Sequence, residues 1–341
     1  MQAAPPLARY RRELEQYLRS LVSAQEPPQL YRMVRYHLGW EDAYGRPVDA
    51  GGKALRSSLC LLTCEAAGGD RWQALPAAAA VELVHNFSLV HDDIQDGDAE
   101  RHHRPAVWKL WGEAQAINAG DAILALAHLA VLKLAEEGVR ETAVIEAGRV
   151  LSERTLEMVE GQTLDISFEE RLDVDLPAYI EMIERKSGAL FDCALHLGAL
   201  VAGADAALVR RLGNVGRSLG TAFQIRDDML SVWGDESVTG KPRGADIRRR
   251  KKSLPVVYAL NETKGALRDD LRAIYAKPEL TDADVTLIAR DLEETGARDY
   301  CARLASERKD VALAELDQLM LRPGPANELR EAAEFLLERE F

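Results

Sequence analysis

The amino-acid sequence reads as an all-α protein on three grounds. Apolar residues recur at helical spacing along almost the whole chain, alternating β-branched runs are nearly absent, and Pro and Gly fall between the periodic segments. Helices are expected at about 7–23, 54–67, 76–97, 118–136, 139–161, 177–202, 206–232, 253–263, 281–292, 297–320 and 325–339. Pro76, Pro177 and Pro255 are each expected near a helix start, where the missing N–H leaves no bond unmade. Segments 76–90 and 188–202 are apolar over most of their circumference, so they belong inside a bundle with amphipathic helices around them. No Pro/Gly/Ser tract, low-complexity run or repeat interrupts the 341 residues, and one domain over 1–341 is expected.

Composition removes several function classes. The net charge of −13 is the wrong sign for a nucleic-acid binder, whose affinity comes largely from neutralising phosphates. The one basic run, Arg248-Arg249-Arg250-Lys251-Lys252, is too local to reverse it. Cys60, Cys64, Cys193 and Cys301 lie in apolar, helix-like sequence without zinc-ligand spacing, which fits buried free thiols in a reducing compartment. The N-terminus is polar and amphipathic, with no apolar core of a signal peptide. The longest apolar stretch, Ala122 to Leu132, is about half the length of a membrane span, and the C-terminus carries no lipidation signal. A cytoplasmic protein without integral membrane association is expected.

The chemistry is carried by two acidic motifs. Asp92-Asp93-Ile94-Gln95-Asp96 follows the apolar run from Ala77 to Val90. At 100° per residue Asp92 and Asp96 stack on one face, flanked by Asp93. Carboxylates this close repel unless cations bridge them. Hard oxygen ligands suit Mg²⁺, which takes its remaining ligands from water and substrate phosphates. A second pair, Asp227-Asp228, ends another apolar helical run about 135 residues later. Two such sites facing each other across a cavity would grip one diphosphate through shared metals.

Cations complete the pattern. Gly51-Gly52-Lys53-Ala54-Leu55-Arg56 opens a helix, where close backbone approach, the helix N-terminus and two charges suit an anion held without metal. Arg101, Lys186 and Lys241 recur at loop or helix edges, and Gly161-Gln162-Thr163-Leu164-Asp165 adds an amide and a carboxylate. Each alone reads as a surface charge. Together with two aspartate pairs they point to a polyanionic substrate.

At this point the sequence resembles the trans-isoprenyl diphosphate synthase (polyprenyl synthetase) family. The resemblance runs from about Gly51 to Pro255 and is carried by GGKALR, VELVHNFSLVHDDIQDGD, AGDAILALA, GQTLDI, ERKSGALF, FQIRDDML and VTGKPRGADIRRRKKSLP, in family order. It implies an isoprenoid-synthase-type helical bundle around a central cavity, a homodimer, and Mg²⁺-dependent addition of isopentenyl diphosphate to an allylic diphosphate. The implied metal ligands are Asp92, Asp93 and Asp96, with Asp227 and Asp228 opposite. Isopentenyl diphosphate contacts fall on Lys53, Arg56 and His85; allylic diphosphate contacts fall on Arg101, Lys186, Ser187, Gln224, Lys241 and Lys251. The helical wheel independently points His85, seven residues before Asp92, within about 20° of it.

Two positions depart from the family pattern. Arg101-His102-His103 stands where Arg-Arg-Gly is usual, which makes the isopentenyl diphosphate site weaker or pH-sensitive through His102. The second motif ends at Ser231 rather than a third Asp, with Asp235 four residues further on. The implied reaction needs no protein nucleophile: the metal-bound diphosphate leaves, the isopentenyl double bond attacks the allylic cation, and a proton is lost. Thr239 to Ser253 reads as a segment that closes over the diphosphate.

Chain length is set by cavity depth. Ser88, beneath Asp92 on the wheel, is small and leaves the tunnel open, and Phe87 matches the pattern of geranylgeranyl diphosphate synthases. A twenty-carbon product is expected, with farnesyl diphosphate as the alternative. A terpene cyclase is disfavoured by GGKxxR and His85, and a metallophosphohydrolase by the scarcity of His. A non-catalytic partner subunit is the non-enzyme alternative, motivated by His102 and Ser231.

Overall fold

The computed structural model describes residues 5–22, 27–169, 171–234, 244–277 and 279–337. In chain order the helices are α1 (Pro5–Ala8), α2 (Arg11–Leu21), α3 (Pro28–His37), α4 (Leu55–Ala66), α5 (Arg71–Gln95), α6 (Val107–Trp111), α7 (Glu113–Leu132), α8 (Glu141–Glu169), α9 (Leu176–Ile183), α10 (Ala189–Val201) and α11 (Ala206–Trp233). There follow α12 (Ala245–Arg248), α13 (Leu254–Glu262), α14 (Ala266–Tyr275), α15 (Asp282–Glu294), α16 (Ala297–Asp317) and α17 (Pro323–Leu337). The only sheet among the described residues is the hairpin of β1 (Glu100–Arg101) and β2 (Arg104–Pro105).

The helices that end in the acidic motifs are core helices. Along α5, Ala77 through Val81, Leu83 and Val84 are fully buried, and the alanine run lets α4 and α7 pack closely against it. Asp70 accepts from the Trp72 N–H and caps α5. That start lies five residues before Pro76, so the proline sits inside the helix rather than at its start. Its ring removes the bond to the Trp72 carbonyl, and packing on the neighbouring helices compensates. Asp205 caps α11 by accepting from the Ala207 and Leu208 N–H groups. Gly216 lets α11 meet α10, since a Cβ there would lie 2.4 Å from the Phe191 carbonyl oxygen.

Two apolar clusters result. One joins α2–α5, α7, α8, α10 and the first half of α11; the other joins the end of α8, α9, the last turns of α11 and α13–α16. Helix α8 runs to Glu169, well past the expected end near 161. The expected helix 177–202 is divided: α9 passes through a π-helical turn at Glu184–Gly188 before α10 begins. Helices α3, α6, α12 and α14 lie outside the expected set. The segment Glu113–Ala135 is long and apolar enough, by length and composition, to cross a membrane, a correction to the shorter apolar stretch read from sequence. Here its Ile123, Ala127, Ala130 and Val131 are buried in the core.

Candidate active site

Side chains from both clusters line one cavity of about 780 Å³. Helix α5 contributes His85, Phe87, Ser88, Asp92 and Asp96; the start of α4 contributes Lys53 and Arg56; α11 contributes Phe223, Gln224, Asp227 and Asp228. The π turn brings Lys186 and Ser187, adjacent in sequence, onto the same wall. Gly161 of α8 permits that turn, because a Cβ there would lie 2.3 Å from the Lys186 backbone nitrogen. Arg101 reaches the cavity from the hairpin, and Arg249, Lys251 and Lys252 from the segment after α12.

Cations answer the acidic groups across the cavity. Lys251 Nζ donates to Asp96 Oδ2 at 2.6 Å, joining residues 155 positions apart. Arg249 pairs with Asp98 on the same side. Arg248 pairs instead with the exposed Asp282, and Arg250 donates to the Lys277 carbonyl. The basic run is thus split, with Arg249 and Lys251 serving the site. Lys186 Nζ donates to Asp165 Oδ2 at 2.5 Å. Burial alone would lower the Lys186 ammonium, but Asp165 and Asp92 outweigh it and hold it raised. Burial raises Asp92, with Asp96 adding to the rise while Lys186, Lys251 and Arg101 oppose it.

Asp93 and Asp228, two of the five expected metal ligands, are held by several donors, whereas Asp96 pairs with Lys251. Asp93 is 1% exposed and points away from the cavity wall, accepting from Arg101 Nε at 2.8 Å with Arg101 Nη2 at 2.7 Å. Asp228 accepts from Tyr179 Oη at 2.6 Å, from Gln224 Nε2 at 3.0 Å and from the Leu254 N–H at 3.0 Å. Burial nevertheless pushes its carboxyl up to about 7. Gln224 in turn accepts from Ser187 Oγ at 2.6 Å. Asp92, Asp96, Asp227 and Asp228 border the cavity, and Asp93 does not. Among the described residues no three His, Cys, Asp or Glu side chains gather closely enough to hold a metal by themselves. An oxygen-only donor set completed by substrate oxygens and water fits Mg²⁺ and fits zinc poorly.

The corner around Lys53 and Arg56 is built differently. Ala54 precedes α4 in a left-handed conformation, φ 49°. Arg56 Nη1 lies 3.4 Å from His85 Nε2, and burial with the adjacent arginines holds His85 well below its ordinary range. His102 and His103 form the hairpin turn with φ 52° and 58°. Phe87 lies edge-on to His91 at 4.9 Å, and Ser88 Oγ donates to the His85 carbonyl at 2.8 Å. Lys241 and Asp235 lie outside the described residues.

The polyprenyl synthetase family profile matches residues 40–292. The chain belongs to the polyprenyl synthetase family. It is similar to the geranylgeranyl diphosphate synthase of Mycobacterium tuberculosis, 42% identical over 308 residues, spanning 89% of this chain and 86% of that one. It is also similar to the (2E,6E)-farnesyl diphosphate synthase of the same organism, 39% identical over 317 residues, 92% and 87%. A crystal structure of a polyprenyl synthetase from Streptomyces coelicolor A3(2) superposes with a TM-score of 0.91 at 38% identity, covering 98% of this chain and 99% of that one. This polyprenyl synthetase is therefore an all-α prenyltransferase that condenses isoprenyl diphosphates.

Tyr179, His37 and Asp98 also line the prenyltransferase cavity without having been assigned a role from sequence, and Arg249 does so as part of the basic run. Asp98 was visible as the last carboxylate of DDIQDGD. Pro28 at the start of α3 is a helix-start signal that would have placed His37 at a helix end. Tyr179 carries no local signal, because its partner Asp228 is 49 residues away.

Proposed function

We propose that this prenyltransferase uses Mg²⁺ to add isopentenyl diphosphate to an allylic diphosphate and releases geranylgeranyl diphosphate. The observation that carries the reading is that Asp92, Asp96 and Asp227 border one cavity with Lys186 and Lys251. Asp92 and Asp96 from α5 and Asp227 from α11 would hold the metal. Bound magnesium supplies charge neutralisation for the departing diphosphate. Lys186 and Lys251, held by Asp165 and Asp96, bring positive charge to its oxygens. Asp93 orients Arg101, and Asp228 fixes Gln224 and the start of α13. Lys53, Arg56 and His85 receive the second diphosphate, and Arg249 with Lys251 hold the basic segment over the opening, where it excludes water. Lys241 is assigned to the allylic diphosphate by motif alone.

Product length follows from the apolar wall below Asp92. Phe87 and Ser88 both border the cavity, and a serine leaves room for a growing chain where a phenyl ring would not. A homodimer through α7 and α8 is part of the proposal. Ile145, Leu156, Val159 and Ile166 on α8 are exposed and fall within about 80° of one another around the helix. Leu129 and Leu132 of α7 are more than half exposed. Such a stripe suits a second copy of the chain. Four buried free cysteines agree with a cytoplasmic location.

The test is an assay of the purified protein alone with Mg²⁺, labelled isopentenyl diphosphate and allylic primers of five, ten and fifteen carbons. A twenty-carbon allylic product is expected. A product that stops at fifteen carbons overturns the chain-length reading, and no condensation with any primer overturns catalysis by this chain alone.

A further inference from the structure

The basic run after α12 is stitched to the bundle residue by residue. Arg249 pairs with Asp98 and Lys251 Nζ donates to Asp96, both beside the end of α5. Arg250 is left-handed, φ 57°, and its Nη1 donates to the Lys277 carbonyl at 2.9 Å, just beyond α14. Lys252 is the buried member of the run, 5% exposed. Its Nζ donates to the Glu169 carbonyl at 2.8 Å and to the Arg250 carbonyl at 3.1 Å, and lies 5.3 Å from the centre of the Tyr275 ring. Adjacent lysines thus serve different partners. One reaches a carboxylate of the first acidic motif, the other the last residue of α8.

An ammonium is costly to bury when it is held by neutral carbonyls. Burial first, then Arg250, hold Lys252 below the ordinary lysine range, with the Glu169 side chain opposing them. Two features offset part of that cost. Glu169 ends α8, where the helix dipole favours a cation, and the Tyr275 face adds a cation–π contact. A methionine would fill the same space without the desolvation, so packing alone does not call for a charge. What the ammonium adds is a simultaneous hold on two carbonyls. The Arg250 carbonyl belongs to the planar peptide unit that leads into Lys251, so this bond fixes the plane from which the Lys251 side chain departs. The Glu169 carbonyl belongs to α8, which also carries Asp165, the partner of Lys186. Both lysines of the site are thereby referred to one helix.

We propose that Lys252 is a positioning residue for the allylic diphosphate: by tying the peptide before Lys251 to the end of α8, it holds the Lys251 ammonium at the cavity before substrate arrives. The proposal rests on the assignment of Lys251 to the allylic diphosphate. Such preorganisation spares the substrate the entropy of ordering a long side chain and its turn on binding. A residue that only capped α8 would support the fold without favouring one substrate over the other.

The test is calorimetric binding of an unreactive allylic thiolodiphosphate with Mg²⁺ to the wild type, Lys251→Met, Lys252→Met and the double variant. The KM for isopentenyl diphosphate and the melting temperature are measured alongside. Lys252→Met should weaken the allylic ligand roughly three- to tenfold and leave the isopentenyl diphosphate KM within about twofold. In the Lys251→Met background the same change should cost little more, because the ammonium it positions is gone. Lys252→Gln, neutral and too short to reach both carbonyls, carries the same expectation should Lys252→Met fail to fold. Unchanged allylic affinity, or losses that add to those of Lys251→Met, overturn the proposal. So does a loss shared equally by both substrates with a lowered melting temperature, the mark of a structural role. Wild-type affinity in Lys251→Met would instead remove the assignment of Lys251, and the inference built on it.

Discussion

Tyr179 Oη donates to Asp228 Oδ2 at 2.6 Å, and the same oxygen accepts the Leu254 N–H at 3.0 Å. One carboxylate of the second acidic motif thereby ties α9 to the start of α13, where the basic segment rejoins the bundle. Neighbours in sequence, Asp227 and Asp228 both border the cavity, but Asp228 also fixes the frame through Tyr179 and Leu254.

That division predicts unequal costs of removing charge. Asp228→Asn keeps an oxygen acceptor for Tyr179 and Leu254 and should lower kcat by roughly tenfold, as expected for a residue that orients others. Asp227→Asn should lower kcat by on the order of a hundredfold or more. Steady-state kinetics at saturating Mg²⁺ checks the order. Tyr179→Phe leaves a buried carboxylate with one donor fewer and should cost about 1–3 kcal/mol of stability in denaturant unfolding.

Chain length should respond at Ser88. Ser88→Phe puts a ring into the cavity below Asp92 and should shorten the main product, while Phe87→Ala should lengthen it. Product analysis by mass spectrometry reads both; unchanged products would remove these side chains from the tunnel wall.

Acid should expose the buried imidazole of His37. Its folded pKa is depressed, so below about 6.5 the unfolded chain binds a proton that the folded chain refuses, and stability falls as pH drops from there towards 3. Asp228 has the opposite sign, because its raised pKa favours the folded state below about 7. Comparison with His37→Asn separates them. The wild type should lose up to about 1.4 kcal/mol more per pH unit than the variant between pH 6 and 5, read as melting temperature against pH.

Removing the apolar stripe should split the proposed dimer. Ile145→Glu with Leu156→Glu places charges on side chains that are 73% and 60% exposed and so should leave the fold intact. Light scattering should then report half the wild-type mass.

The sequence made the long helices and both acidic motifs legible because apolar residues recur at helical spacing along α5 and α11, and adjacent aspartates near the end of each break that pattern. It did not separate Asp92 from Asp93, since adjacent aspartates look alike until Arg101 folds back onto one of them. The π turn at Glu184–Gly188 was hidden because its widening depends on Gly161, a contact between distant segments. His37 escaped because α3 is short and its cavity partners come from α4, α5 and the hairpin.

A diphosphate shared through metal would couple Asp92 to Asp227. Calorimetric binding of an unreactive allylic thiolodiphosphate, with and without Mg²⁺, to the wild type, Asp92→Asn, Asp227→Asn and the double variant tests it as a thermodynamic cycle. Each single variant should lose most of the Mg²⁺-dependent affinity, and the double variant should lose little more. Losses that simply add, or a single variant that keeps its full Mg²⁺-dependent affinity, would mean that the two carboxylates serve separate ligands.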